Sequence, residues 1–144
     1  MITIPIAADH AGYELKQVLI KYLMDKGYHI EDLGTHSTQS MDYPDVIHPL
    51  ADEISKKEYE LGIIICGTGN GVSMTANHHD GVRCALCWKK EIAEMARLHN
   101  DANILALPAR HLTTEDAIEI VDVFLNTEFE GGRHQNRVDK IELL

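Results

Sequence analysis

Cysteine and positive charge are scarce in this 144-residue chain, and long apolar runs are missing altogether. Three cysteines, an odd number, make no disulfide framework and fit a reducing cytoplasm. Two of them stand in Cys84-Ala85-Leu86-Cys87, but a strand sends positions i and i+3 to opposite faces. No second CxxC completes a zinc site there. No apolar stretch approaches the ~20 residues that cross a bilayer. The start, Met1-Ile2-Thr3-Ile4-Pro5, has no basic segment followed by an apolar run and a cleavage site, so neither a membrane span nor a targeting peptide is expected. With 13 Lys and Arg against 23 Asp and Glu, the formal net charge is −10. A basic face for nucleic acid is therefore excluded. If the ligand is an anion, the few cations must be gathered where it binds.

What is present is an alternation of short β-rich runs and amphipathic helical runs, without repeats or linkers. It predicts one α/β domain over residues 1–144, with a parallel sheet. The strand candidates are Ile2–Ala8, Tyr28–Leu33, Leu61–Ile65, Val82–Leu86 and Ala102–Leu107. Leu15, Val18, Leu19, Tyr22 and Leu23 share one helical face, and Gly27 stops that helix. Pro44 stands near the start of a helix carrying Ile47, Leu50, Ala51 and Ile54, and Thr113 is placed to cap one carrying Ala117, Val121 and Phe124. Further helices are expected around Ile92–Ala96, after the glycine turn from Val72 to about Asn77, and at the end of the tail. Pro5 fits a strand interior badly, because it has no N–H to donate.

Such units build a Rossmann-like three-layer α/β/α sandwich, for which five strands predict the order 2-1-3-4-5 with a C-terminal extension. Strands 1 and 3 are then neighbours, and ligands bind in the crevice at their C-terminal ends. Asp9 and His10 follow strand 1, with Asp9 placed to orient His10. Cys66-Gly67-Thr68-Gly69-Asn70-Gly71 follows strand 3. Three glycines let the backbone approach a ligand and present N–H groups as an anion nest, although a plain tight turn would use them equally well. Neither the dinucleotide fingerprint nor the P-loop pattern fits. Cys66 at a helix start is poised as a thiolate, a nucleophile or base; otherwise it is a small buried hydrophobe.

Nine histidines invite a metal reading, but His29, His36 and His48 stand apart, His78 and His79 are adjacent, and no HxxxH pair lies on a predicted helix. No metal ligands are assigned. His10 and His99 are the exceptions that chemistry could use. Of the five arginines, Arg133 and Arg137 lie at i and i+4 in Gly131-Gly132-Arg133-His134-Gln135-Asn136-Arg137, on one helical face. Arginine forks grip phosphate bidentately.

Taken together, Asp9-His10-Ala11-Gly12, Cys66 to Gly71, Arg83, His99-Asn100-Asp101-Ala102-Asn103 and Gly131 to Arg137 resemble the ribose-5-phosphate isomerase B family, which also holds the galactose-6-phosphate isomerase subunits. The resemblance runs from residue 2 to about 140. It implies a cytoplasmic homodimer or dimer of dimers with its active site at the interface, interconverting ribose 5-phosphate and ribulose 5-phosphate in the non-oxidative pentose phosphate pathway without metal or organic cofactor. It implies Cys66 as the base acting through a cis-enediolate, with the amides of Gly67, Thr68, Gly69, Asn70 and Gly71 around the oxyanion and Thr68 assisting. His99 would open the sugar ring with Asp9. Asp9, His10 and Asn100 would bind hydroxyls, Tyr43 would line the pocket, and Arg110, Arg133, His134 and Arg137 would hold the phosphate. His99 and Arg110 are expected from a neighbouring subunit. Asn70 and the His78-His79 pair depart from the family pattern without removing a catalytic group. Two other readings remain open: a hexose 6-phosphate (galactose or allose) as substrate, and a non-catalytic phosphate- or nucleotide-binding module.

Overall fold

The computed structural model describes residues 2–143. In chain order it contains β1 (Thr3–Ala8), α1 (Tyr13–Asp25), β2 (His29–Asp32), α2 (Pro44–Ser55), β3 (Gly62–Cys66), α3 (Asn70–Ala76), β4 (Cys84–Leu86), α4 (Lys90–Asn100), β5 (Ile104–Pro108), α5 (Thr114–Asn126) and α6 (Arg133–Asp139). A single 3-10 turn, Ala109–His111, leads out of β5.

The five strands are parallel, as the sequence pattern predicts. Their order is β2-β1-β3-β5-β4, not 2-1-3-4-5. The correction has a plain cause. All five residues of β5 are buried, whereas the three of β4 are only half-buried. An apolar run needs cover on both faces, so β5 takes the interior place beside β3 and the short strand takes the edge. The switch point between β1 and β3 is unaffected.

Side-chain alternation along the strands divides the core into two layers. Ile4, Ile6, Ile63, Ile65 and Leu107 face α1, α4 and α5, where Leu19, Ala93 and Phe124 lie buried. Ala7, Ile64, Cys66 and Ala106 face α2 and α3. Cys84 joins the second layer and Cys87 the first, so the CxxC pair does straddle the sheet. Burial pushes both of these thiols up to about 12, which leaves neither as a thiolate at neutral pH.

Local signals hold well. Thr113 caps α5 in a full capping box, accepting from Asp116 N at 3.1 Å. Pro44 opens α2, and Gly27 follows α1 at φ 99°. Pro5 is tolerated because its nitrogen faces the β3 side, where pairing begins only at Ile6.

A carboxyl pair sits between α2 and β2. Burial and the negative charge of Glu31 push Glu53 from its ordinary 4.5 up to about 7. The folded state therefore holds this proton more tightly than the unfolded chain. The resulting stabilisation is complete below about pH 4.5 and is lost as pH rises through 7. Glu53→Gln, which mimics the protonated acid, is expected to melt a few degrees above wild type at pH 8. The two curves should converge only below about pH 4.5 in thermal melts recorded from there to pH 8.

Candidate active site

Asp9 follows β1 and is buried. Its Oδ1 accepts from Ala11 N at 2.9 Å and Gly12 N at 3.1 Å, closing the turn into α1. It does not orient His10. That ring is fixed from the other side of the crevice, where Met41 N donates to His10 Nδ1 at 3.2 Å.

Cys66 ends β3, 5% exposed, and Gly69 N donates to its sulfur at 3.2 Å. Gly69 caps α3 at φ 76°, and any side chain there would collide with Leu86. Gly71 lies beneath the Tyr43 ring, where an added Cβ would stand 2.8 Å from the tyrosine oxygen. Asn70 N donates to Thr68 Oγ1 at 3.2 Å. Two of the five amides in the turn are thus committed within it. Gly71 N and Val72 N belong to the first turn of α3, which has no earlier turn to bond, and they are uncommitted among the described residues. Val72 is a donor that reading glycines alone misses.

Arg110 reaches the same end of the sheet. Its N–H donates to Gly67 O at 3.0 Å, and its guanidinium packs against Gly67. It therefore belongs with the Cys66 of its own chain, contrary to the expectation that a neighbour supplies it.

Another residue the sequence reading missed is Lys16, fully buried on α1. It donates to Asp32 Oδ1 at 2.7 Å, and the same oxygen accepts from Gly34 N at 3.0 Å. This ion pair anchors the segment that carries Met41 to His10 and Tyr43 to Gly71. A lysine among apolar residues reads as a solvated snorkelling side chain, so only the fold exposes its partner.

The remaining site residues lie elsewhere. α4 runs antiparallel to the strands and ends at Asn100, beside the N-terminal edge of the sheet, where Gly62 N donates to Asn103 O at 2.9 Å. From that edge to Cys66 is about 13 Å at a strand rise of ~3.3 Å per residue. Asn100 lines a cavity of about 380 Å³ with Arg83, Cys84 and Ile141, not the Cys66 crevice. The tail docks at the same edge. Glu130 N donates to Leu98 O at 3.0 Å, and the His134 ring stacks on His99 with centroids 4.2 Å apart. Partial burial, then the neighbouring His99, hold His134 below the usual imidazole range, against the pull of Glu130.

The arginines divide by employment. Arg83 and Arg97 grip Asp101, at 3.3 Å and 3.0 Å, and hold it in a left-handed turn at φ 48°. Arg110, Arg133 and Arg137 are exposed and make no side-chain hydrogen bond or ion pair among the described residues. One end of the molecule thus offers a thiol, orphan amides, a buried carboxylate and one arginine. The opposite end offers two imidazoles and two arginines.

Residues 4–141 match the family model described as Ribose/Galactose Isomerase. The chain belongs to this family. A ribose/galactose isomerase relative, a putative sugar phosphate isomerase of Rickettsia bellii, is 48% identical over 139 residues, 96% of each chain. The solved ribose 5-phosphate isomerase of Thermotoga maritima superposes with a TM-score of 0.95 at 48% identity, over 97% of each chain. The ribose-5-phosphate isomerase B of Mycoplasma genitalium, solved with bound ribulose-5-phosphate, superposes at 0.93 with 45% identity, covering 96% of this chain and 93% of that one. Membership of the ribose/galactose isomerases rests on the whole domain, tail included.

Proposed function

We propose that this chain is an aldose–ketose isomerase that interconverts ribose 5-phosphate and ribulose 5-phosphate in the non-oxidative pentose phosphate pathway. The observation that carries this reading is a buried thiol at the switch point, beside amides with no acceptor among the described residues. Cys66, as thiolate, takes the proton from C2 of the open-chain aldose. The C2 electrons move into a C1–C2 double bond, and O1 gains negative charge. Gly71 N and Val72 N donate to that oxyanion, an arrangement worth ~2.7–4 kcal/mol per donor. Cys66 returns the proton to C1 while the O2 proton passes to O1 by way of the Thr68 hydroxyl, and the neutral ketose forms. Asp9 and His10 hold sugar hydroxyls, and Tyr43 walls the pocket. The reaction, so written, uses no metal or organic cofactor.

Two copies are required, as a homodimer or dimer of dimers. A single chain holds His99 and His134 about a strand length from its thiol. The partner subunit's His99 opens the furanose with Asp9, and the partner subunit's Asn100 binds a hydroxyl. The partner's Arg133, His134 and Arg137 join Arg110 around the phosphate. No helix among the described residues is long and apolar enough to cross a membrane, and three free cysteines suit a cytoplasmic setting.

The family description names galactose as well as ribose, which keeps a hexose 6-phosphate (galactose or allose) as a second reading. In the presence of EDTA, kcat/KM is expected to be highest for ribose 5-phosphate. A preference above ~10-fold for a hexose phosphate would replace the substrate, since one carbon discriminates by about that much. Tight nucleotide binding without any isomerisation would instead mark a binding module.

A further inference from the structure

The two imidazoles at the tail end of the molecule have a third companion. Glu130 Oε2 lies 3.9 Å from His99 Nε2, and ligand atoms of His99, Glu130 and His134 all fall within 4.8 Å of one another. His134 is 9% exposed, and its ring makes no hydrogen bond among the described residues. Two imidazole nitrogens and one carboxylate are the donor set of borderline divalent ions such as zinc, and a poor one for magnesium or calcium.

We propose that His99, Glu130 and His134 form a binding site for zinc or a similar divalent cation, and that its occupation switches the isomerase off. The switch rests on the proposed roles of His99 and His134; the binding does not.

The site closes with small movements. Tetrahedral zinc with ligands at about 2.0–2.2 Å sets its donors roughly 3.4 Å apart, so atoms now within 4.8 Å of one another need to approach by roughly 1.4 Å at most. An imidazole lone pair lies in the ring plane, so the near-parallel rings, 15° apart, must turn out of their stack. His99 and Glu130 have the room to do so, with side chains 40% and 57% exposed. The backbone is already set by the Glu130–Leu98 hydrogen bond and by Gly131 and Gly132 at φ 72° and 58°, which fold His134 back onto α4. A bound ion takes the lone pair that ring opening needs and breaks up the group that receives phosphate. Zinc here is an inhibitor, not a cofactor.

The test is a calorimetric titration of the metal-free full-length protein with zinc chloride in a non-coordinating buffer, paired with isomerase assays at the same zinc concentrations. One ion per chain is expected, with an inhibition constant that tracks the dissociation constant and full recovery in EDTA. Glu130→Gln should keep the metal-free turnover while zinc affinity and inhibition both weaken by more than roughly tenfold. His134→Gln should lose zinc affinity likewise, and Cys66→Ala should retain it. Absence of binding, equal binding by the Glu130 variant, or loss of binding in the Cys66 variant alone would overturn the site. Binding without inhibition would overturn the switch. A metal-free protein that binds zinc as described but never turns over ribose 5-phosphate would remove the isomerase reading and its switch, and leave the cation site standing.

Discussion

Cys66→Ala is expected to lower kcat for ribose 5-phosphate by on the order of 10³-fold, the usual contribution of a positioned base. Affinity for the sugar phosphate should change little, because in the proposed site arginines hold the phosphate and Asp9 and His10 hold the hydroxyls. The side chain is small and nearly buried, so its loss leaves only a sulfur-sized gap beside Gly69. The direct readout is exchange of the C2 hydrogen with solvent deuterium, followed by NMR, beside a binding titration with the same sugar. Exchange at the wild-type rate in the variant would remove Cys66 from the role of base.

The second large effect is a rescue. Arg133→Ala combined with Arg137→Ala removes two charge-assisted contacts of about 1.5–3 kcal/mol each, a loss of roughly 10²–10⁴-fold in kcat/KM. Cys66→Ala is expected to be inactive for a different reason. If each site takes its thiol from one chain and its arginines from another, a mixed dimer of the two variants contains one intact site. After random exchange of subunits half the dimers are mixed, and activity should return to about a quarter of wild type. A chain that completes its own site gains nothing from mixing. Unfolding and refolding the two variants together, followed by the standard assay, decides between these outcomes.

The sequence made local structure more legible than tertiary arrangement. Glycine, proline and capping residues act locally, so Thr113, Pro44 and the glycine turn could be placed without a structure. The exchange of β4 and β5 could not, because order depends on which of two apolar runs wins an interior place, and that is decided by burial across the whole sheet. The family resemblance put Arg110 on a neighbour; its contact with Gly67 is tertiary and leaves no local signal. The Lys16–Asp32 pair and the His99–Glu130–His134 group were invisible for the same reason. Their members are far apart in sequence or lie on separate elements, and none has a pattern that announces its partner.

The glycine turn and the tail differ in how freely they tolerate change. Gly69 has no room for a side chain against Leu86, and Gly71 has none beneath Tyr43. Arg133 and Arg137 stand in the open and bind no side chain or carbonyl among the described residues. Mutation can therefore rewrite the tail more freely than the glycine turn, and in the proposed two-chain site the phosphate grip can change while the proton-transfer half stays as it is. A lineage built on this scaffold is free to diversify its substrates without reinventing its reaction. New specificities should be sought, in nature or in directed evolution, among residues 130 to 140 before any are sought around Cys66.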